Sequence, residues 1–165
     1  GDFATFTDGG FPNWTKGNNA STVWAQSTTT VHAPSTTSLS LTNVTGTTYI
    51  TQTLKTGITA GKQYDITVWY YNVTGGKNDS GLRLWSFFLD ANNTYVYLPE
   101  AGKDDAANDP LRTNNKYFPN SIGEWSSYTT TVTAPENAVG FKFEIRAYRN
   151  CGDFFIGECS IAEKQ

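Results

Sequence analysis

The sequence lacks several features that define other classes of protein. Its 165 residues include no methionine, one histidine and two cysteines, and the formal net charge is −3. No run of lysine and arginine occurs, so we expect no nucleic-acid partner. No apolar segment approaches the roughly 20 residues of a membrane-spanning helix, so we expect no membrane insertion. Segments rich in alanine, leucine, glutamate and lysine are missing too, which argues against long helices.

Motifs of common enzymes are also missing. The sequence contains no Gly-x-Ser-x-Gly, His-Glu-x-x-His or P-loop pattern. Asp104 and Asp105 make a poor acid–base pair, because adjacent side chains diverge whereas glycosidases hold two carboxyl groups about 5–9.5 Å apart. The single histidine, His32, lies in a turn with no acid or serine partner suggested nearby, and we expect a structural role. The sequence therefore predicts that the chain is not an enzyme.

What the sequence does contain favours strands. β-Branched and aromatic residues are frequent, and 15 glycines and six prolines, together with many asparagines, supply turns. Short segments of alternating polar and apolar residues recur along the chain, with turn signals roughly every 8–12 residues. The sequence therefore predicts an all-β protein, an antiparallel β-sandwich of about ten strands. We expect a single domain over residues 1–165.

The segment Lys62–Val73 is predicted to be a central strand. Every second residue from Tyr64 to Tyr70 suits a core, because side chains two apart on a strand share a face. The opposite face is polar except for Trp69 and Tyr71. Aromatic rings on the polar face of a strand are typical of a surface that binds a sugar. We therefore place the binding site on this outer face.

Two other strands are expected to complete the site. Gly81–Asp90 is predicted to pair back on Lys62–Val73, and a late strand carries polar residues opposite an apolar comb that ends at Ile145. Aromatic rings suit the C–H faces of a sugar, and charged side chains suit its hydroxyls. The alternative is that the tryptophans pack beneath a second layer. The predicted ligand-binding residues are Trp69, Tyr71, Arg83, Trp85, Glu144, Arg146 and Tyr148.

The connection Pro99–Ser121 is polar and has no clear period. A connection of this length in a compact domain is usually functional or mobile. The alternatives are a solvated loop, a binding rim that uses Arg112 and Tyr117, or a calcium loop, although its acids lack the spacing of a dedicated calcium loop. Cys151 and Cys159 are either free thiols or a disulfide, which requires Cα atoms within about 7 Å of each other.

Several segments, in their order along the chain, resemble one known family. They are Gly1-Asp2-Phe3 followed by Pro12-Asn13-Trp14, Val31-His32-Ala33-Pro34-Ser35 before Ser38-Leu39-Ser40-Leu41, Thr59-Ala60-Gly61-Lys62-Gln63-Tyr64 before Val68-Trp69-Tyr70, Glu124-Trp125-Ser126-Ser127-Tyr128 before Thr131-Val132-Thr133-Ala134-Pro135, and Phe155-Ile156-Gly157-Glu158-Cys159-Ser160-Ile161. Nearly the whole chain resembles the jelly-roll carbohydrate-binding modules of the galactose-binding-like group, of the family 4, 9 and 22 types. In this pattern we expect Trp14 and Trp125 to pack structurally.

The resemblance implies a jelly roll of two antiparallel sheets and a non-catalytic module. Such a module binds a polysaccharide or oligosaccharide on a concave face through exposed aromatic residues. The low charge and the many threonines and asparagines are typical of secreted or cell-surface bacterial modules, so we expect that location. The resemblance implies catalytic domains linked covalently in a longer chain. One alternative is an adhesion or protein-interaction module of the same fold, with the rings as interface anchors. Another is a jelly-roll polysaccharide lyase or hydrolase, against which the missing acid–base pair argues.

Members of this family often hold a structural calcium, although binding itself requires no cofactor. Ala4 and Gly157 stand where the family carries acidic ligands. Calcium takes about six to eight oxygen ligands, including carboxylates, so the loss of two weakens the site. The remaining candidate ligands are Asp2, Asp153 and Glu158.

Overall fold

The computed structural model describes residues 3–17, 22–75, 80–149 and 151–165. In these residues eleven strands form two antiparallel sheets packed as a sandwich, which confirms the predicted fold class. The strands are β1 (Thr15–Lys16), β2 (Val23–Ser27), β3 (Ser38–Thr42), β4 (Thr48–Leu54), β5 (Gln63–Asn72), β6 (Gly81–Leu84), β7 (Phe87–Leu89), β8 (Tyr95–Val96), β9 (Trp125–Thr133), β10 (Gly140–Tyr148) and β11 (Phe154–Glu163).

The five-stranded sheet has the order β2-β3-β11-β5-β9. Strand β5 is hydrogen-bonded on both sides, so the prediction that Lys62–Val73 forms a central strand is confirmed. Its burial alternates as the sequence predicts: Tyr64, Ile66, Val68 and Tyr70 are buried, and the residues between them are partly exposed. This alternation fixes which face of the sheet covers the core.

The six-stranded sheet has the order β1-β4-β10-β7-β8, and β6 also pairs with β10. The prediction that Gly81–Asp90 pairs back on β5 is therefore wrong, because β6 and β7 both pair with β10 in the other sheet. The alternation of residues in Gly81–Asp90 gives their two faces but not their partner strand. Strands β7 and β8 pair with each other and form a hairpin around the turn at Asn92-Asn93.

The core lies between the inner faces of the two sheets. Phe141 on β10 packs against Phe88 on β7 and against Phe143, with ring centroids 5.3 and 4.9 Å apart. Trp14 is buried and its ring lies 5.2 Å from that of Phe3, which confirms its predicted structural role. These edge-on and tilted contacts are the arrangements that aromatic side chains prefer in cores.

The connection from β8 to β9 is ordered by a buried ion pair. It forms two 3₁₀ helices, Ala106–Asn108 and Pro110–Asn115. Arg112 Nε donates to Asp109 Oδ2 at 2.7 Å, and both residues are at most 4% exposed. The remaining nitrogens of Arg112 donate to the carbonyls of Gly102 and Lys103. The suggestion that Arg112 forms a binding rim is therefore wrong, because its guanidinium is buried and donates hydrogen bonds within the connection.

This connection also forms hydrogen bonds with both sheets along one side of the sandwich. The backbone N–H of Phe118 donates to the carbonyl of Leu82 in the six-stranded sheet at 2.7 Å. The hydroxyl of Tyr70 donates to the carbonyl of Pro119, and that of Tyr128 donates to the carbonyl of Pro110, each at 2.8 Å. Burial raises the pKa of Tyr70 to about 12, so it remains a hydrogen-bond donor at neutral pH.

No helix of the described residues is long and apolar enough to cross a membrane.

Both cysteines are buried, and they do not form a disulfide with each other. Burial raises the pKa of Cys151 and of Cys159 to about 12, which leaves almost no reactive thiolate near neutral pH. We expect iodoacetamide at about pH 8 to modify neither thiol in the native protein and both after unfolding in urea. Mass spectrometry of the quenched samples counts the adducts. Rapid modification of the native protein would contradict this packing.

Candidate functional site

The seven predicted ligand-binding residues divide between the two outer faces of the sandwich. Five of them lie on the outer face of the six-stranded sheet, on or next to strands β6 and β10. Trp69 and Tyr71 lie on the outer face of the five-stranded sheet, on β5. The prediction that all seven form one site is wrong, because β6 pairs with β10 rather than with β5. The five that lie together are Arg83, Trp85, Glu144, Arg146 and Tyr148.

We call these five residues the arginine–aromatic face. Arg83 and Arg146 occupy paired positions on β6 and β10. The guanidinium carbon of Arg83 lies 4.3 Å from the ring centroid of Trp85 and 4.2 Å from that of Tyr148. That of Arg146 lies 4.6 Å from the Trp85 ring. Two cations therefore contact one indole, which holds the partly buried ring in a fixed orientation through cation–π attraction.

A single carboxylate organises the charges on this face. Glu144 is 5% exposed and its Oε1 accepts hydrogen bonds from Nε of Arg146, at 3.0 Å, and from Nη2 of the same residue. Its other oxygen lies 3.4 Å from Nζ of Lys142. Hydrogen bonds between ionised groups are shorter and stronger than those between neutral groups. Glu144 therefore fixes the positions of both neighbouring cations on β10.

Lys142 continues the face along β10 towards β8. Its ammonium donates to the hydroxyl of Tyr95 at 2.8 Å and lies 5.2 Å from the ring of that residue. Burial disfavours the ammonium, but the hydrogen bond to Tyr95 and the charge of Glu144 outweigh it, so the pKa of Lys142 is raised. Lys142 is consequently positively charged at neutral pH.

Aromatic rings extend the face at both ends. Phe87 stacks on Tyr95 with ring centroids 4.3 Å apart and an interplanar angle of 5°. At the opposite end, Tyr117 stacks on Tyr148 with centroids 6.2 Å apart, so this part of the suggested rim lies at the face. Asn115, from the same connection, accepts a hydrogen bond from Nη1 of Arg83 at 3.4 Å. The face is therefore a row of aromatic rings and cationic side chains rather than one isolated aromatic ring.

Sequence reasoning missed three members of this row. Lys142 shares the alternation of Glu144 and Arg146, so its position was available from the pattern of β10. Phe87 shares the alternation of Arg83 and Trp85 in the same way. Tyr95 could not be predicted in this way, because its position on the face depends on the pairing of β7 with β8.

The outer face of the five-stranded sheet carries a second aromatic cluster. His32 stacks on Trp69 with ring centroids 3.8 Å apart and lies 5.5 Å from the ring of Trp125. Tyr71 packs edge-on against Trp125 and Phe155. Trp69 is therefore partly covered by His32 rather than offered as an open platform. Trp125 packs structurally as predicted, but on this outer face and not in the core.

Gly157 permits the close packing of this second cluster. It lies at a β-bulge where the pairing of β11 with β5 shifts register between Ile156 and Glu158. A Cβ at this position would lie 2.9 Å from Cβ of His32 and 2.9 Å from the ring of Trp125. The position therefore requires glycine for steric reasons, which are separate from the loss of a carboxylate for calcium.

The suggested calcium ligands do not form a metal site in the described residues. No group of three or more histidine, cysteine, aspartate or glutamate side chains there is placed to hold a metal ion. Asp153 Oδ1 accepts a hydrogen bond from the backbone N–H of Asn43 at 2.9 Å. Glu158 lies across from Trp69 on the five-stranded sheet. Asp2 lies outside the described residues, so the structural calcium stays a prediction.

A cleft of about 450 Å³ lies at one end of the sandwich, away from both aromatic clusters. Its lining residues are Gln63, Pro99, Glu100, Pro110, Thr131, Val132, Thr133, Ala134, Pro135 and Glu136. None of the described residues that line it carries an aromatic ring or a positive charge. Its volume is large enough for a small ligand, but its lining offers no π surface for a sugar. The arginine–aromatic face is therefore the better candidate site.

Comparison with known proteins gives a match in fold. No family model matches the chain, and no curated protein matches it in sequence. Its fold is similar to part of the enzymatically active domain of bacteriophage CBA120 tailspike protein 4, with a TM-score of 0.64 and 16% identity over 93% of this chain. It is also similar to the CBM22-1–GH10 modules of Clostridium thermocellum xylanase 10B, complexed with xylohexaose, with a TM-score of 0.62 and 17% identity over 93% of this chain. The chain spans only 20% and 26% of these two structures.

A third structure has nearly the same length as this chain. The CBM22-1 xylan-binding domain of Paenibacillus barcinonensis Xyn10C matches with a TM-score of 0.59 and 12% identity, over 98% of this chain and 90% of that domain. The chain therefore shares its β-sandwich fold with carbohydrate-binding modules of known structure, as its sequence predicts. At these identities the likeness is one of fold.

Proposed function

We propose that this chain is a non-catalytic carbohydrate-binding module that binds a polysaccharide on its arginine–aromatic face. The observation that carries the proposal is the arrangement of Trp85, whose ring is held by Arg83 and Arg146 on the outside of the six-stranded sheet. Tyr148 and the stacked pair Phe87 and Tyr95 continue this row of rings. A linear row suits a chain of sugars better than a single sugar.

The chemistry of the face matches that of a sugar. The apolar C–H face of a pyranose packs on an aromatic ring, and the hydroxyl groups around its rim need directed donors and acceptors. Arg146 supplies donors next to the ring of Trp85, and Lys142 supplies another next to the ring of Tyr95. Because mutual contacts already hold these side chains, little conformational entropy is lost when a ligand binds.

The fold supports a binding role without catalysis. Of the structures with a similar fold, one is a CBM22-1–GH10 pair complexed with xylohexaose and another is a xylan-binding domain. One of those structures also carries a GH10 module in the same chain. By analogy, this domain is an accessory part of a longer, secreted or cell-surface bacterial protein whose catalytic domains act on the bound polysaccharide.

The second aromatic cluster favours a competing function. Trp69, Tyr71 and Trp125 lie together on the outside of the five-stranded sheet. Tryptophan and tyrosine are enriched at the centres of protein interfaces. An adhesion or protein-interaction module would use this cluster and would leave the arginine–aromatic face without a ligand.

Affinity electrophoresis tests the proposed function. The purified chain is run through native gels that contain xylan, mixed-linkage β-glucan, galactan, galactomannan, glucuronoxylan or polygalacturonate, beside a non-binding reference protein. We expect at least one polysaccharide to retard the chain, and no reducing sugar to be released from it. Unchanged migration in every gel would overturn the proposal. Release of reducing sugar would show an enzyme instead.

A further inference from the structure

The arginine–aromatic face carries excess positive charge. In the described strands of the six-stranded sheet, the charged side chains on the outer face are Arg83, Lys142, Arg146 and Glu144. Three cations therefore face one carboxylate, although the whole chain has a formal net charge of −3. This local excess is opposite in sign to the charge of the molecule, so general composition does not explain it.

The one carboxylate on the face is already shared. Glu144 contacts both Lys142 and Arg146, and with a single negative charge it can balance only one of them. It is also 5% exposed, so it lies beneath the surface that a ligand would touch. The side chains of Lys142 and Arg146 are 22% and 24% exposed. A ligand on this face would therefore contact Lys142 and Arg146 rather than Glu144.

We infer that the ligand is an acidic polysaccharide, whose carboxylate or sulfate groups are bound by Lys142 and Arg146. This inference rests on the proposed function, because it names the class of ligand for the same face. The ammonium of Lys142 and the guanidinium of Arg146 both contact the carboxylate of Glu144, so the two cations lie close together. An anionic group of the polysaccharide would be bound where they converge, and the sugar that carries it would lie near the ring of Trp85, which contacts Arg146.

The physical reason for this choice is the strength of charged hydrogen bonds. When Lys142 or Arg146 donates to a carboxylate or sulfate, the attraction between opposite charges adds to the hydrogen bond, and this attraction is missing when the acceptor is a neutral hydroxyl. A neutral polysaccharide would partly desolvate Lys142 and Arg146 without supplying an anion, which weakens its binding. An acidic polysaccharide would replace the lost water with a counter-charge. The face therefore discriminates between polymers that differ only in charge.

Matched polymers test the inference. Dissociation constants are measured for glucuronoxylan and its carboxyl-reduced form, and for dextran sulfate and dextran, so that carboxylate and sulfate are compared separately. We expect the acidic member of one pair to bind about tenfold more tightly than its neutral partner. We also expect added sodium chloride to weaken this binding, because salt screens exposed charges.

Charge-removing variants locate the effect. We expect Lys142→Gln and Arg146→Gln each to reduce the preference for the acidic polymer by about fivefold. Lys62→Gln is the matched control, because it removes the same charge from an exposed pair with Glu163 on the other sheet. It should leave the preference unchanged. If Arg146→Gln fails to fold, Lys142→Gln and the salt dependence still decide the result.

The outcomes separate this inference from the proposed function. Equal binding of acidic and neutral polymers, or preference for the neutral ones, would overturn the inference and leave a carbohydrate-binding module. Absence of binding to every polymer in these pairs and in the electrophoresis panel would overturn both. Acid preference that both face variants retain in full would place the anionic site elsewhere and also overturn the inference.

Discussion

Replacement of Arg112 by alanine is expected to lower the free energy of unfolding by about 3–5 kcal/mol. The reason is that Asp109, at 1% exposure, would lose the cation that balances its charge. Removing one member of a buried ion pair is more harmful than removing both. The carbonyls of Gly102 and Lys103 would also lose their hydrogen-bond donors. We expect the whole connection from β8 to β9 to loosen.

The loss should depend on pH. Burial is the main cause that raises the pKa of Asp109, and the hydrogen bond and charge of Arg112 oppose it. Without Arg112 this pKa rises further, so the folded variant binds a proton more strongly than its unfolded chain does. Stability from a group with a raised pKa is lost as pH rises through the folded pKa. The destabilisation of Arg112→Ala should therefore be smaller at about pH 4 than at about pH 8.

Urea unfolding followed by tryptophan fluorescence measures both effects. Lys62→Ala is the control, because the pair between Lys62 and Glu163 is exposed and its loss should change the unfolding free energy by less than about 1 kcal/mol. A loss no larger for Arg112→Ala than for this control would contradict the structural role of the ion pair. A loss that grows as the pH falls would contradict the assigned protonation of Asp109.

Replacement of Trp85 by alanine is expected to weaken polysaccharide binding about 30-fold, or ~2 kcal/mol. The indole is the largest ring of the arginine–aromatic face, and it also contacts two guanidinium groups. Without it, Arg83 and Arg146 lose a cation–π contact and the ordered geometry that a ligand would meet. Isothermal titration with the polysaccharide that retards the protein most measures the change.

Trp69→Ala is the matched control for this prediction. It removes an indole from the other face of the sandwich, where His32 stacks on the ring. We expect its affinity for the polysaccharide to remain within about twofold of the original, since the residue lies outside the proposed site. A large loss for Trp69→Ala, with little for Trp85→Ala, would move the site to the five-stranded sheet. Far-ultraviolet circular dichroism verifies that both variants are folded.

The sequence was sufficient to predict the faces of the strands but not their partners. Alternation of apolar and polar residues correctly separated Arg83 and Trp85 from Leu82 and Leu84. Strand pairing depends on contacts far apart in the chain, and alternation carries no information about them. For this reason five of the predicted site residues come together in the structure, while Trp69 and Tyr71 lie on the other sheet.

The connection from β8 to β9 shows a second limit of sequence reasoning. Its polar composition predicts a loop in contact with water, whereas Asp109, Arg112 and Thr113 are buried. Each of these polar side chains makes a hydrogen bond inside the protein, which is the condition for burying it. Such partners are found only once the fold has brought them together. The sequence alone could therefore not show that Arg112 is buried in the connection whereas Tyr117 lies at the arginine–aromatic face.

The same connection has a consequence for how the protein behaves at high concentration. It occupies the outer edge of β6 and the segment that follows, where the N–H groups of Leu84 and Ser86 and the carbonyl of Leu82 are all hydrogen-bonded to it. An unpaired strand edge is a template on which another chain can add a strand and begin to aggregate. Here the backbone groups of this edge are already hydrogen-bonded to the connection. Another chain could add a strand at this edge only after the connection had dissociated from it.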